Sequence, residues 1–242
     1  MNQAGMQLSL FESRPAREAF VVRVSARARR LTARVHVGGR VEIVVPRGVG
    51  PIAVRDFVRR SSEWIERKVA AMQPCVALED PVPQEIRFGF GGERFAVEWR
   101  CGRARGLHER GGRVIVGAAD PVTARRLLRR WLKRAALARL APALLALAAE
   151  RRVEVARVVA RCQRTRWGSC STRGTISLNA SLLFLREPVV RYLFAHELAH
   201  LQHMNHSRRF WRLVESLEPD YRRLDRELLG GWRSVPAWVH EG

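Results

Sequence analysis

Lysine is almost missing from this chain. Of its 44 basic side chains only Lys68 and Lys133 are lysines, and the remainder are arginines. Long apolar runs are also missing. A membrane-spanning helix needs about 20 consecutive apolar residues, and the nearest candidate, Ala135 to Ala149, is interrupted by Arg139 and Pro142. The first residues lack the apolar core of a secretory signal, since Glu12 and Arg14 closely follow a short apolar patch. These absences lead us to expect a cytoplasmic protein with no membrane partner. The four cysteines, Cys75, Cys101, Cys162 and Cys170, show no C-x-x-C spacing, so a zinc–thiolate site is unsupported and reduced thiols are expected. There is no P-loop, no carboxylate cluster suited to magnesium, no internal repeat and no low-complexity tail.

What is present is positive charge. The formal net charge of +21 creates a potential that attracts anions. The arginines are spread along the whole chain rather than gathered in a tail, and Ala, Val and Leu are abundant. Two readings stand side by side: a solvated basic surface that follows from composition, and non-specific association with nucleic acid or polyphosphate. The 47% hydrophobic fraction is that of an ordinary folded protein, and 242 residues can bury a substantial core.

Alternation of apolar residues predicts strands between Phe20 and Val45, with a hairpin at Gly38-Gly39. Pro51 opens a helical pattern to Met72 whose expected buried side is Phe57, Val58, Trp64, Ile65, Val69 and Met72. A proline-containing connector, 74–83, follows. Hairpins are predicted at Gly91-Gly92 and Gly111-Gly112. Asp120-Pro121 reads as an N-cap with proline at the first helical position, opening a helix to about Arg151 that Pro142 kinks or divides. Short strands are expected at 153–159 and 175–178. The pattern divides the chain into an extension, 1–19, a β-rich region, 20–119, and a C-terminal region, 120–242.

The C-terminal region contains His196-Glu197-Leu198-Ala199-His200 within an apolar run from Val189 to Leu201. This is the H-E-x-x-H pattern of zinc hydrolases. On a helix the two histidines stand one turn apart and roughly 40° apart around the axis, so both imidazoles can reach one metal. Glu197 points beside the metal, where a carboxylate can take a proton from a zinc-activated water and pass it to a leaving group. Pro188 suits a first turn and Glu187 its positive end. The plainer alternative is a buried helix whose histidines merely hydrogen-bond in the core; such polar groups are costly without partners.

A catalytic zinc needs a third protein ligand and an open fourth position. His203 shares the helical face, but a ligand returning from beyond the helix end approaches from a new direction. Met204-Asn205 is a plausible stop, because asparagine tolerates the left-handed conformation, and His206 follows directly. His206 is therefore favoured over His203, with Glu215, Glu218 and Glu227 as outlying candidates.

The run from Thr165 through Arg166-Trp167-Gly168-Ser169-Cys170-Ser171, then 174–179, the H-E-x-x-H helix, Asn205-His206-Ser207 and Phe210-Trp211 resembles the YgjP-like zinc metallopeptidase family, which is related to the SprT and WLM metalloproteases. The resemblance is dense from Cys162 to Leu229 and looser at 27–32 and Trp64-Ile65. It implies an α+β chain in which a β-rich N-terminal half precedes a zincin-like half carrying the H-E-x-x-H helix. It also implies Zn2+ on His196, His200 and His206, with Glu197 as the catalytic base, and makes 166–179 part of a cleft wall.

In that wall Arg166 and Arg173, with Arg164, present planar forks suited to phosphate oxygens, and Trp167 can stack on a nucleobase. Alternatively Trp167 is core and the arginines are solvated. The leading expectation is a metallopeptidase acting on a peptide or protein. The alternative is a nucleoside-triphosphate pyrophosphohydrolase acting on a substrate such as UTP, which the arginine density favours. A third reading, a nucleic-acid-associated protease, rests on analogy with the SprT relatives, and no separate DNA-binding motif is visible.

Overall fold

The structure is a computed structural model that describes residues 20–36, 40–72, 82–102 and 106–240. The expected extension 1–19, the Gly38-Gly39 turn, Cys75 and most of the 74–83 connector lie outside the described residues. The chain forms two compact units, Met1–Gln73 and Pro74–Gly242.

In the first unit, strands β1 (Val21–Ser25), β2 (Thr32–Val35) and β3 (Val41–Pro46) form a sheet in the order β1-β3-β2. β2 pairs antiparallel with β3, as a hairpin requires, while β1 runs parallel to β3. Helix α1 (Pro51–Met72) covers β2 and β3. Val54, Ile65 and Val69 fall on one helical stripe and are buried, as are Val35, Val41 and Ile43 of the sheet. Trp64 does not join them. It is 41% exposed, because its position lies well around the helix from that stripe. Phe57 and Val58 are only partly buried.

The second unit opens with β4 (Glu85–Arg87), β5 (Arg94–Cys101), β6 (Gly106–Arg110) and β7 (Arg113–Ala118), in the order β4-β5-β7-β6. Both predicted diglycine hairpins form. Gly91, Gly92, Gly111 and Gly112 all have positive φ, between 57° and 74°; Gly111-Gly112 joins the paired Arg110 and Arg113 as a two-residue turn, while Gly91-Gly92 lies in the longer connection between Arg87 and Arg94. The hairpins join through a parallel β5–β7 pair, a pairing that alternation alone does not reveal.

Helix α2 (Pro121–Glu150) begins as expected, with the Asp120 carboxylate accepting from the Thr123 amide at 2.8 Å and from its hydroxyl at 2.7 Å. It continues unbroken through Pro142, so the helix is not divided there. Its apolar side, including Leu128, Trp131, Leu132 and Leu140, packs on β6 and β7 and also on β8 and α3. Phe88, Phe95 and Trp131 cluster there, with Trp131 donating to Glu109 at 2.7 Å and Arg139 clamped by Glu93 and Glu109. Through this core α2 joins the 85–118 sheet to everything after it, and the two compact units divide at Gln73–Pro74.

A second sheet holds β8 (Arg157–Arg161), β9 (Gly168–Cys170) and β10 (Thr175–Asn179), in the order β8-β10-β9. β9 is an edge strand, antiparallel to β10. Helices α3 (Glu187–Gln202), α4 (Arg208–Leu217) and α5 (Tyr221–Gly230) complete the unit, and α3 packs against β9, α2, α4 and α5. Among the described residues no helix is long and apolar enough to cross a membrane.

Candidate metal centre

Helix α3 is apolar on most of its circumference. Val189, Val190, Leu193, Phe194 and Leu198 are buried, each contributing about 1.5–3 kcal/mol by the usual transfer scale. This packing holds His196 and His200 in place. The helix ends at Gln202, and His203 leaves it in an extended conformation, with φ −135° and ψ 95°. The turn is therefore made at His203 rather than by a left-handed residue at Asn205, since among the described non-glycine residues only Arg152 has positive φ. The extended exit sends the chain back across the helix end and brings His206 to the pair.

One ring nitrogen from each of His196, His200 and His206 lies within 4.8 Å of the other two. His203 is not in this group, and neither are Glu215, Glu218 or Glu227; Glu227 instead takes Arg186 bidentately at 2.8 and 2.7 Å. The Nε2 atoms of His196 and His206 stand 3.2 Å apart. Two imidazoles sharing a tetrahedral zinc at the usual bond length place their nitrogens about 3.3 Å apart, so the spacing fits that ion. His200 Nδ1 lies 3.2 Å from the carbonyl oxygen of His203. A carbonyl only accepts, so Nδ1 carries the proton and Nε2 keeps its lone pair for a metal.

Burial, with the neighbouring His200 and His206 charges, pushes the His196 pKa down to about 3, so the ring stays neutral. Burial also lowers His200. Neutral imidazoles are what a divalent ion requires. Phe210 backs all three rings at 4.6–5.0 Å, and Trp211 stacks on His206 at 5.6 Å. Ser207 caps α4 by accepting from the Phe210 amide, which fixes both aromatics.

Glu197 is 3% exposed, and its Oε2 has no hydrogen-bond partner. Burial raises its pKa to about 8, opposed by the charge of Arg166. The carboxylate rests on Gly168 of β9. A Cβ at 168 would meet the Glu197 Oε1 and come within 2.9 Å of Cδ and 3.0 Å of Cγ. We expect Gly168→Ala to displace Glu197 and remove most turnover while zinc content stays at the wild-type level. Metal analysis beside a rate measurement checks this, and full activity would show that the cradle is dispensable.

Sequence reasoning missed this close approach, although a glycine inside a strand is the signal for one. It also missed Asn179, which is fully buried. Asn179 Nδ2 donates to the carbonyls of Gln163 and Arg166 at 2.7 and 2.9 Å, and its amide donates to Trp167 at 2.8 Å. That clamp sets the course of the chain into Gly168.

Trp167, expected either to face substrate or to lie in the core, is 7% exposed and stacked on Trp232 at 3.9 Å, which is the geometry of the core alternative. Arg166 is exposed and close enough to Glu197 to act on it electrostatically. Arg173 sits exposed between β9 and β10, with no hydrogen bond or ion pair among the described residues. Cys170, half-buried, is held as a thiol, its pKa raised to about 11 by burial and by Glu197.

No curated protein matches the chain significantly. A solved structure, the metallopeptidase zymogen of Pyrococcus abyssi abylysin, is 27% identical to it. The match covers 37% of this chain and 91% of that one, with a TM-score of 0.35. A family model, YgjP-like metallopeptidase domain, matches residues 29–229. With that match spanning most of its length, the chain belongs to the YgjP-like metallopeptidase family.

Proposed function

We propose that the protein is a zinc-dependent metallopeptidase in which His196, His200 and His206 hold the ion and Glu197 moves the proton. The observation that carries this reading is the convergence of three imidazoles beside a buried carboxylate with an unpartnered oxygen. Zinc supplies Lewis acidity, polarising a carbonyl and lowering the pKa of water to about 7. Glu197 accepts a proton from the attacking water and returns it to the departing amine. Its burial keeps its pKa near neutrality, where both transfers are feasible. Gly168 lets the carboxylate approach β9, and the free edge of that strand offers backbone groups to an extended peptide.

This edge favours peptide over nucleotide. A triphosphate substrate would draw on Arg166 and Arg173, and only Arg166 is close enough to act on Glu197. Incubating zinc-loaded protein with a mixed panel of peptides and nucleoside triphosphates tests the choice. We expect peptide cleavage that survives Arg173→Ala and depends weakly on salt. Pyrophosphate release from UTP that vanishes in Glu197→Gln, with no peptide cleaved, would establish the pyrophosphohydrolase instead.

The third ligand has its own test. His206→Ala should weaken zinc binding far more than His203→Ala, because His203 contributes only a backbone carbonyl to the centre. Competition titration against a chelator ranks the two variants, and the reverse order would move the assignment to His203.

A further inference from the structure

Nδ1 of His196, the nitrogen facing away from His206, lies 3.5 Å from the hydroxyl oxygen of Tyr192, one turn earlier on α3. Tyr192 is fully buried. Its hydroxyl donates to Oδ1 of Asp225 on α5 at 2.7 Å, a separation typical of a hydroxyl bonded to a carboxylate. A phenol has one proton to give. With that proton committed to Asp225, Tyr192 presents only lone pairs to His196, and the nitrogen facing it must be the protonated one.

We propose that Tyr192 and Asp225 are positioning residues that select the His196 tautomer with Nδ1 protonated, leaving Nε2 as the metal-binding nitrogen. Asp225 is the selector. A carboxylate can only accept, so it fixes the direction of the whole chain of hydrogen bonds: Nδ1–H to Tyr192, Tyr192 O–H to Asp225. An amide at 225 can donate to the phenol oxygen instead. The phenol proton is then free to turn toward Nδ1, which places the imidazole proton on Nε2 and blocks that nitrogen as a ligand. The relay gives α5 a part in the centre although it supplies no ligand, and it parallels the His203 carbonyl that fixes His200. The consequence for metal binding rests on the three-histidine reading above.

Two measurements test it. Nitrogen-15 NMR of histidine-labelled, metal-free protein reads the His196 tautomer directly, without zinc. The wild type should show a protonated Nδ1, and Asp225→Asn should move the proton to Nε2. Zinc affinity is then measured by competition. Asp225→Asn should weaken it about 10–100-fold, the usual cost of losing an outer partner of a histidine ligand. Asp225→Glu should recover part of the loss, and Tyr192→Phe should weaken binding less than Asp225→Asn because no misdirected proton remains. Asp225 is exposed, so its substitution spares the core. A bare Nδ1 in the wild type, or equal zinc affinity in wild type and Asp225→Asn, would overturn the relay. A wild type with the expected tautomer and no zinc would leave tautomer selection standing and overturn the metal centre.

Discussion

His196→Ala and His200→Ala should each leave purified protein with essentially none of the approximately one zinc per chain expected of the wild type. The expectation follows from geometry. Each imidazole supplies one of three converging nitrogens, and among the described residues no fourth histidine, cysteine or carboxylate joins the group. With two protein ligands left, the ion loses the three-ligand coordination on which protein zinc sites of this kind depend. The surrounding wall makes substitution still less forgiving, because Phe210 contacts all three rings and cannot serve as a ligand. Metal analysis after gel filtration gives the answer. Unchanged zinc in both variants would place the metal elsewhere and remove the basis for the proposed chemistry.

Glu197→Gln should retain zinc and lose about 10²–10⁴ in turnover, the usual worth of a positioned general base. The replacement keeps the shape that fits against Gly168 and removes only the ability to take a proton. Near-normal activity with a confirmed substrate would refute the assigned role.

The same variant predicts a change in stability. The wild-type carboxyl has a folded-state pKa of about 8, against an ordinary value of 4.5. A raised acid pKa means that the stabilisation is fully present below 4.5 and is lost as pH rises through 8. In chelator-treated protein, Glu197→Gln should therefore gain thermal stability relative to wild type as pH rises across that window. His196, with its lowered pKa, acts in the opposite direction, losing stability as pH falls from 6.5 toward 3. It is present in both proteins, so its contribution cancels in the difference. Parallel melting curves from pH 5 to 8.5 would show a constant gap if the carboxyl were not buried in this way.

Much of this centre could be read from residue order because its geometry is local. His196 and His200 are joined by the helical period, and His206 by the short return that follows. Asp120-Pro121 and both diglycine turns were equally readable, each being a demand of a few adjacent residues. What escaped depends on partners far along the chain. Trp167 looks available for substrate until Trp232, distant in sequence, covers its face. Gly168 shows its purpose only when Glu197 fills the space a side chain would occupy. Asn179 looks like a strand end, and its clamp exists only because 163–167 folds over it. The parallel pairs β1–β3, β5–β7 and β8–β10 likewise leave no mark on alternation, which reports the face of a strand and not its neighbour.

The stacked indoles of Trp167 and Trp232, 3.9 Å apart and 21° from parallel, also give the protein an optical signature. Two chromophores at that distance share their excited states. The pair should therefore produce a paired positive and negative band in circular dichroism that isolated tryptophans lack. Because Trp167 immediately precedes the glycine beneath Glu197, that band would report the position of the strand that opens at Gly168 spectroscopically, with no label and no substrate.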